Sequence, residues 1–192
     1  MRRTLHLYIE EKQYEDMIRR YHFWERDLVR LREMGRMTQE ASSSEVYFEV
    51  SEDGKRVPVI VTLGSGVDKL QERYMERVRL TESYMIECVA MELLENAYGQ
   101  IAECIYACTG MWMSGIDFLG DKIPLGSMEE IFQRLKPQRI MYNQAYMLTP
   151  RKTVVFFTDL CMECRDGYRN VCTDCGNISC INRRAVTSAP SL

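Results

Sequence analysis

Apolar positions in the first third of the chain recur at three- and four-residue steps: Tyr14, Met17, Tyr21, Trp24, Leu28 and Leu31. That spacing places them on one face of a helix over residues 10–34, with charge on the opposite face and Gly35 as its C-cap. Ahead of it, residues 4–9 (TLHLYI) alternate over a short run and predict an edge strand. Behind it, residues 39–44 (QEASSS) form a polar linker. Residues 45–50 and 56–63 then predict two strands around Asp53-Gly54, a hairpin turn pair, with Val46, Phe48 and Val50 facing one way. Pro58 argues for an edge position or a late start to the second strand.

Leu63-Gly64-Ser65-Gly66 leads into the next helix. Two glycines between a strand and a helix suggest a phosphate cradle, but neither G-x-G-x-x-G nor G-x-x-x-x-G-K-[ST] is present. Ser65 with Asp68 three residues on reads better as a capping box. Residues 67–108 predict one long helix or two in line, with Tyr84, Cys88, Met91, Leu94, Tyr98, Ile101 and Ile105 at helical spacing. Cys104 and Cys108 on that stretch are four residues apart and could share a ligand with another element, although free cysteine packed in a helix core is commoner. Residues 109–126 carry glycine at 110, 115, 120 and 126. A loop of that length between periodic segments is a functional candidate, with Trp112 and Phe118 as pocket-lining residues. Ser127-Met128-Glu129-Glu130 is a second capping box, opening a helix that ends before Pro137. Residues 137–160 are apolar and β-branched enough for strands, and residues 139–158 are predicted to share one antiparallel sheet with residues 45–63 under the helices of 67–108.

Composition narrows the function classes. A net charge of −3 leaves no overall basic field for nucleic acid. No apolar run follows Met1-Arg2-Arg3 to make a signal peptide, and no 18-residue apolar run would span a membrane. The expected compartment is the cytoplasm, where thiols stay reduced. The 13 methionines are read as core filling, and His6 and His22 are isolated. Five of the eight cysteines fall in residues 161–184, as Cys161-x2-Cys164, Cys172-x2-Cys175 and Cys180. Each C-x2-C pair can turn two thiolates onto one metal, and four thiolates suit zinc or an iron–sulfur cluster. The spacing does not choose between them, and the short spacer between the pairs leaves free thiols or a redox disulfide as alternatives. The chain thus divides into a domain over 1–160 with its N-terminal helix at 10–35, a cysteine-rich tail over 161–184, and a small polar end over 185–192.

The order of parts brings a resemblance. VIVTLGSGVD before a long helix, a glycine-rich loop, IPLGSMEEIFQRL and AYMLTPRKTVVFF together resemble the activation domain of cobalamin-dependent methionine synthase, above all its stand-alone bacterial relatives. The resemblance covers residues 45–184. Its most specific pieces are Met147-Leu148-x-Pro150-x-Lys152-Thr153 and Cys172-x2-Cys175-x4-Cys180-x2-Arg183. It implies an α+β domain with a twisted antiparallel sheet and flanking helices. It also implies an accessory role in reductive reactivation of a methionine synthase or related corrinoid methyltransferase, in trans rather than as a free-standing catalyst. The partner would carry the cobalamin, a flavodoxin or ferredoxin would supply the electron, and S-adenosylmethionine the methyl group. Gly115, Tyr146 and Lys152 are the cofactor-site residues it implies. The family's R-x-x-x-G-Y motif is broken: a register on Gly115 puts Met111 and Ile116 at its arginine and tyrosine, and one on Gly120 puts Ile116 and Asp121 there. The methionine carboxylate thus lacks the expected planar cation, and weak binding beside the 110–126 loop is the expectation. Two other classes remain: a binding module with a structural zinc knuckle, and a small iron–sulfur electron carrier.

Overall fold

The computed structural model describes residues 1–50, 56–162, 171–180 and 183, with 173 and 174 by backbone alone. The chain is a mixed α+β structure in which helices and an antiparallel sheet share one long helix. The strands β1 (Arg2–Thr4), β2 (Glu45–Phe48), β3 (Arg56–Thr62), β4 (Trp112–Met113), β5 (Asp117–Phe118) and β8 (Thr153–Cys161) form a sheet in the order β1-β2-β3-β8-β4, with β5 also on β8. A separate hairpin pairs β6 (Met141–Tyr142) with β7 (Leu148–Thr149). The helices are α1 (Glu11–Arg20), α2 (Leu28–Ala41), α3 (Ser65–Glu76), α4 (Leu80–Thr109), α5 (Ser127–Leu135) and the short α6 (Val171–Asp174).

The sheet follows its side-chain alternation. Val46, Phe48, Val57, Val59, Val61 and Phe156 pack on one face against the second half of α4, with Val50 beside them. Tyr47, Ile60 and Val155 point to the other face, against Ile131 of α5 and Ile140. β3 is buried from Val57 to Thr62 because it lies between β2 and β8 with elements on both faces. Pro58 is therefore in a central strand, not at an edge as its lack of an N–H suggested. It tolerates this place because β2 ends at Phe48, opposite Val59, one position short of the proline. Of the residues 139–158 expected to join this sheet, those of β8 do so, while Met141–Tyr142 and Leu148–Thr149 pair with each other in the β6–β7 hairpin instead.

The helical layer departs further from the periodic reading. The expected helix over 10–34 is two helices broken at residues 21–24, where His22 takes a φ of 57°. Gly35 is no cap. It sits inside α2, where a Cβ would lie 2.1 Å from the Tyr14 hydroxyl, so the glycine serves a close crossing of α1 and α2. Neither predicted capping box forms. Gly64 and Gly126 occupy the N-cap positions of α3 and α5, and Ser65 and Ser127 are already inside those helices. The stretch 67–108 is the two helices α3 and α4. On α4 the buried line runs through Met85, Val89, Leu93, Ala97, Ile101 and Ile105, whereas Tyr84 and Met91 are exposed. The first half of α4 packs with α1, α2 and α3, and the second half packs on the sheet. Among the described residues no helix is long and apolar enough to cross a membrane.

α3 enters against the end of α2 so closely that a Cβ on Gly66 would stand 2.0 Å from the Ala41 carbonyl oxygen. That neighbour is backbone and cannot swing aside. Gly66→Ala is therefore expected to lower the unfolding free energy by about 2 kcal/mol, as forced overpacking does. Urea denaturation of the two proteins checks it, and an unchanged midpoint would refute so tight a crossing.

Candidate functional site

Strand β8 has two ends, and the sequence motifs divide between them. At its start, Pro150 follows a cis peptide bond and Arg151 donates its backbone N–H to Asp68 Oδ2 at 2.7 Å. The Asp68 carboxylate, expected to cap its own helix, instead holds this turn. Lys152 lies under the turn with its amine hydrogen-bonded to Glu87 of α4, and Gln71 Nε2 donates to the other Glu87 oxygen at 2.9 Å. The Lys152 carbonyl accepts from Leu63 N at 2.9 Å, and the Thr62 and Thr153 hydroxyls meet at 2.8 Å. The Leu63–Gly66 turn and the Pro150–Thr153 motif are thus two halves of one clamp joining β3, β8, α3 and α4. Burial works to raise the Glu87 carboxyl, but the Lys152 hydrogen bond and charge, with Gln71 and Arg151, outweigh it and hold it below the ordinary value of 4.5.

At the other end, β4 pairs Trp112 with Cys161 and Met113 with Leu160, and Ser114 N donates to the Asp159 carbonyl at 2.9 Å. Gly115 follows with a φ of 151°, in the region glycine favours. Trp112 stacks on Tyr106 with ring centroids 4.0 Å apart, and Phe118 meets Phe156 edge to face. Phe118 thus packs against the sheet core, whereas Trp112 is covered by an exposed tyrosine of α4. A cavity of about 460 Å³ opens instead at the start of α5, lined by Pro124, Gly126, Ser127, Glu129, Glu130 and Gln133.

The tail returns onto this same end. Val171 packs against the sheet core. Burial first, then Glu95, then the Cys175 and Cys172 thiols push the Tyr98 phenol up. Gly176 N donates to Asp121 Oδ2 at 2.9 Å, and a Cβ there would lie 2.4 Å from both carboxylate oxygens. The Arg183 guanidinium donates to the carbonyls of Cys175 at 3.2 Å and Asn177 at 3.1 Å, tying the turn after α6. Helical spacing marks Tyr98 in the sequence only as part of the 67–108 helix face, and Asp121 carries no signal beyond the Gly120-Asp121 pair in the loop.

The structure therefore separates the three implied cofactor-site residues. Gly115 lies beside the end of β8 and Lys152 at its start; Asp159 and Lys152 are seven strand residues, roughly 23 Å, apart. Tyr146 sits in the β6–β7 turn with a φ of 59°, stacked on Tyr142 with centroids 6.0 Å apart. Of the five cysteines expected to bind metal, Cys164 lies outside the described residues. Cys172 lies in α6 with Cys175 directly after it, and Cys161 ends β8. Among the described residues no group of three or more His, Cys, Asp or Glu is placed to hold a metal ion. The described thiols thus present a C-x2-C pair, without a full ligand set. No protein-family model matches the chain, and no curated protein matches it.

Two outcomes follow. Glu87→Gln leaves the Lys152 ammonium, 13% exposed, without its counter-charge. The expected cost at neutral pH is about 2 kcal/mol, less than for a fully buried pair because Glu87 keeps 34% of its side chain in solvent. Because the folded value is depressed, this contribution is full above 4.5 and is lost as pH falls below 4.5 through the folded value. Urea titrations at several pH values should show the gap between wild type and variant closing only on that acid side. For the tail, Gly176→Ala should displace it from Asp121 and speed amide hydrogen exchange over residues 171–180 by roughly tenfold, as loss of one charge-assisted hydrogen bond allows. Unchanged exchange there would mean that this contact does not hold the tail.

Proposed function

We propose that this protein acts in trans as an accessory factor for reductive reactivation of a cobalamin-dependent methionine synthase or a related corrinoid methyltransferase. The observation that carries the reading is the meeting of two chemically different pieces at one end of β8. One is the glycine-bearing loop, where the resemblance would seat S-adenosylmethionine. The other is a tail whose Cys172 and Cys175 thiols suit electron exchange or metal binding. Such an end fits docking over the cobalamin-bearing domain of a partner, with a flavodoxin or ferredoxin as electron donor. S-adenosylmethionine would supply the methyl group, and its irreversible transfer would pull an unfavourable one-electron reduction. The chain's own work is to position the loop against the partner.

The broken R-x-x-x-G-Y motif bears on how tightly that ligand is held. Arg56 and Lys122, the cations beside the loop, are both engaged by Asp117, at 2.8 and 3.1 Å. A carboxylate docking there meets cations already paired, so S-adenosylmethionine binds weakly to the chain alone and the partner's surface completes the site. The second reading is a binding module without chemistry of its own, its tail a zinc knuckle. The internal use of Lys152 and Arg56 favours it.

The decisive experiment supplies a methionine synthase that lacks an activation domain, trapped as cob(II)alamin, with reduced flavodoxin and S-adenosylmethionine. Adding this chain is expected to restore methylcobalamin and turnover, and a chain lacking residues 161–192 is expected to do so poorly. No recovery with any such partner, together with a colourless zinc-loaded protein after anaerobic purification, would establish the binding-module reading instead.

A further inference from the structure

Near the C-terminal end of α4 and apart from the cysteine tail, the Cys108 and Met1 sulfur atoms meet, and Cys104 lies one helical turn before Cys108. Cys104 and Cys108 are one helical turn apart, so their side chains share a face with about 5–6 Å between Cβ atoms. Met1 lies across that face, with the Cys108 Sγ and the Met1 Sδ 4.0 Å apart. Met1 is held there by backbone. Phe48 N donates to the Met1 carbonyl at 3.1 Å and the Met1 nitrogen donates to the Phe48 carbonyl, continuing the β1–β2 ladder to the first residue.

The spacing and the donor set both point to a ligand. Three sulfur ligands around one ion at about 2.3 Å stand roughly 4.0 Å from one another in a trigonal plane. Thiolate and thioether are soft donors that select Cu(I), whereas zinc sites draw on cysteine, histidine and carboxylate. Two thiolates around a monovalent ion leave one negative charge over, and the Arg3 charge acts on Cys104 in the direction that favours its thiolate. Burial raises the Cys104 thiol, as do Cys108 and Glu103, while Arg3 acts the other way. Metal ligation needs the thiolate, so binding releases the thiol protons. Cys108 and Met1 are exposed and Cys104 is half-buried, so an ion has access.

We propose that Cys104, Cys108 and Met1 form a binding site for a soft monovalent ion of the Cu(I) class, held by two thiolates and one thioether. Binding releases two thiol protons to solvent and changes no oxidation state. The site shares no residue with the cysteine tail and stands whether or not the reactivation role does.

The test is an anaerobic titration of the reduced full-length chain with Cu(I) against a colorimetric Cu(I) chelator. Cys161, Cys164, Cys172, Cys175 and Cys180 are replaced by serine to silence the tail. One Cu(I) per chain is expected to be withheld from the chelator, with three sulfur neighbours at about 2.3 Å by X-ray absorption. Cys104→Ser and Cys108→Ser should each weaken retention by roughly 100-fold, at or beyond the upper end of what loss of an outer-shell partner costs. Cys88→Ser should change nothing, because burial pushes that thiol up to about 12. Equal retention in the Cys104 and Cys108 variants overturns the site, and a two-sulfur ion overturns the part of Met1. Should the five-serine chain lose its circular dichroism, the otherwise unaltered chain is compared with Cys104→Ser/Cys108→Ser, which must lose one Cu(I) equivalent; losing none overturns the proposal.

Discussion

The burial of α4 on more than one side is the constraint on which the rest of the structure depends. Its 30 residues run about 45 Å, long enough to serve two cores in turn. The first half is enclosed by α1, α2 and α3, and the second is pressed onto the sheet. A helix so enclosed cannot confine its polar groups to one outer face. Glu92 is only 2% exposed, and it is tolerated because Arg20 pairs with it and Tyr21 donates its hydroxyl at 2.8 Å. Truncating one partner would strand a buried charge, the costly direction for such a pair. The same reasoning ties α1 to α4 more firmly than the apolar contacts alone would.

The polar groups along α4 also organise what surrounds it. Glu87 receives Lys152 and so fixes where β8 begins. Tyr98, eleven positions on, belongs to the core cluster against which the tail residue Val171 packs. Cys108 meets Met1, with Cys104 one helical turn before it. One helix therefore sets the positions of the structural clamp, the loop-and-tail end and the second sulfur cluster. This is why the motif around Lys152 and the cysteines of the tail, neighbours in the chain, end up at opposite ends of one strand.

That separation bears on function. A lysine in a recurring motif invites a role in ligand binding, yet here its amine is mostly buried and charge-paired with Glu87. The chemistry-bearing groups gather instead where β8 ends, because β4 and β5 bring the loop alongside it and Asp121 reaches across to the tail. Asp117 binds Arg56 and Lys122 in the same region, which stiffens the loop at the cost of the cations a carboxylate ligand would need.

By itself the sequence determined the α+β class, the β2–β3 pairing with Val46 and Phe48 on one face, and the place of the glycine loop. Each rests on local periodicity or on turn residues, which act over a few positions. The clustering of Cys172 and Cys175 was equally legible, since C-x2-C is a local pattern. Tertiary structure alone decided the rest. A helix buried on several sides has no single stripe, so Tyr84 and Met91 were read as core and Glu92 was not. Glycines 35, 64, 66 and 126 were open to several readings until a crossing helix or an N-cap position gave each its reason. The break after α1 rests on His22 in a left-handed conformation, which neither glycine nor proline announces. The contacts of Asp68 with Arg151, Asp121 with Gly176, and Cys108 with Met1 join residues 55 or more positions apart. No periodicity encodes such pairs, because they come into being only when packing brings distant elements within hydrogen-bond or van der Waals reach.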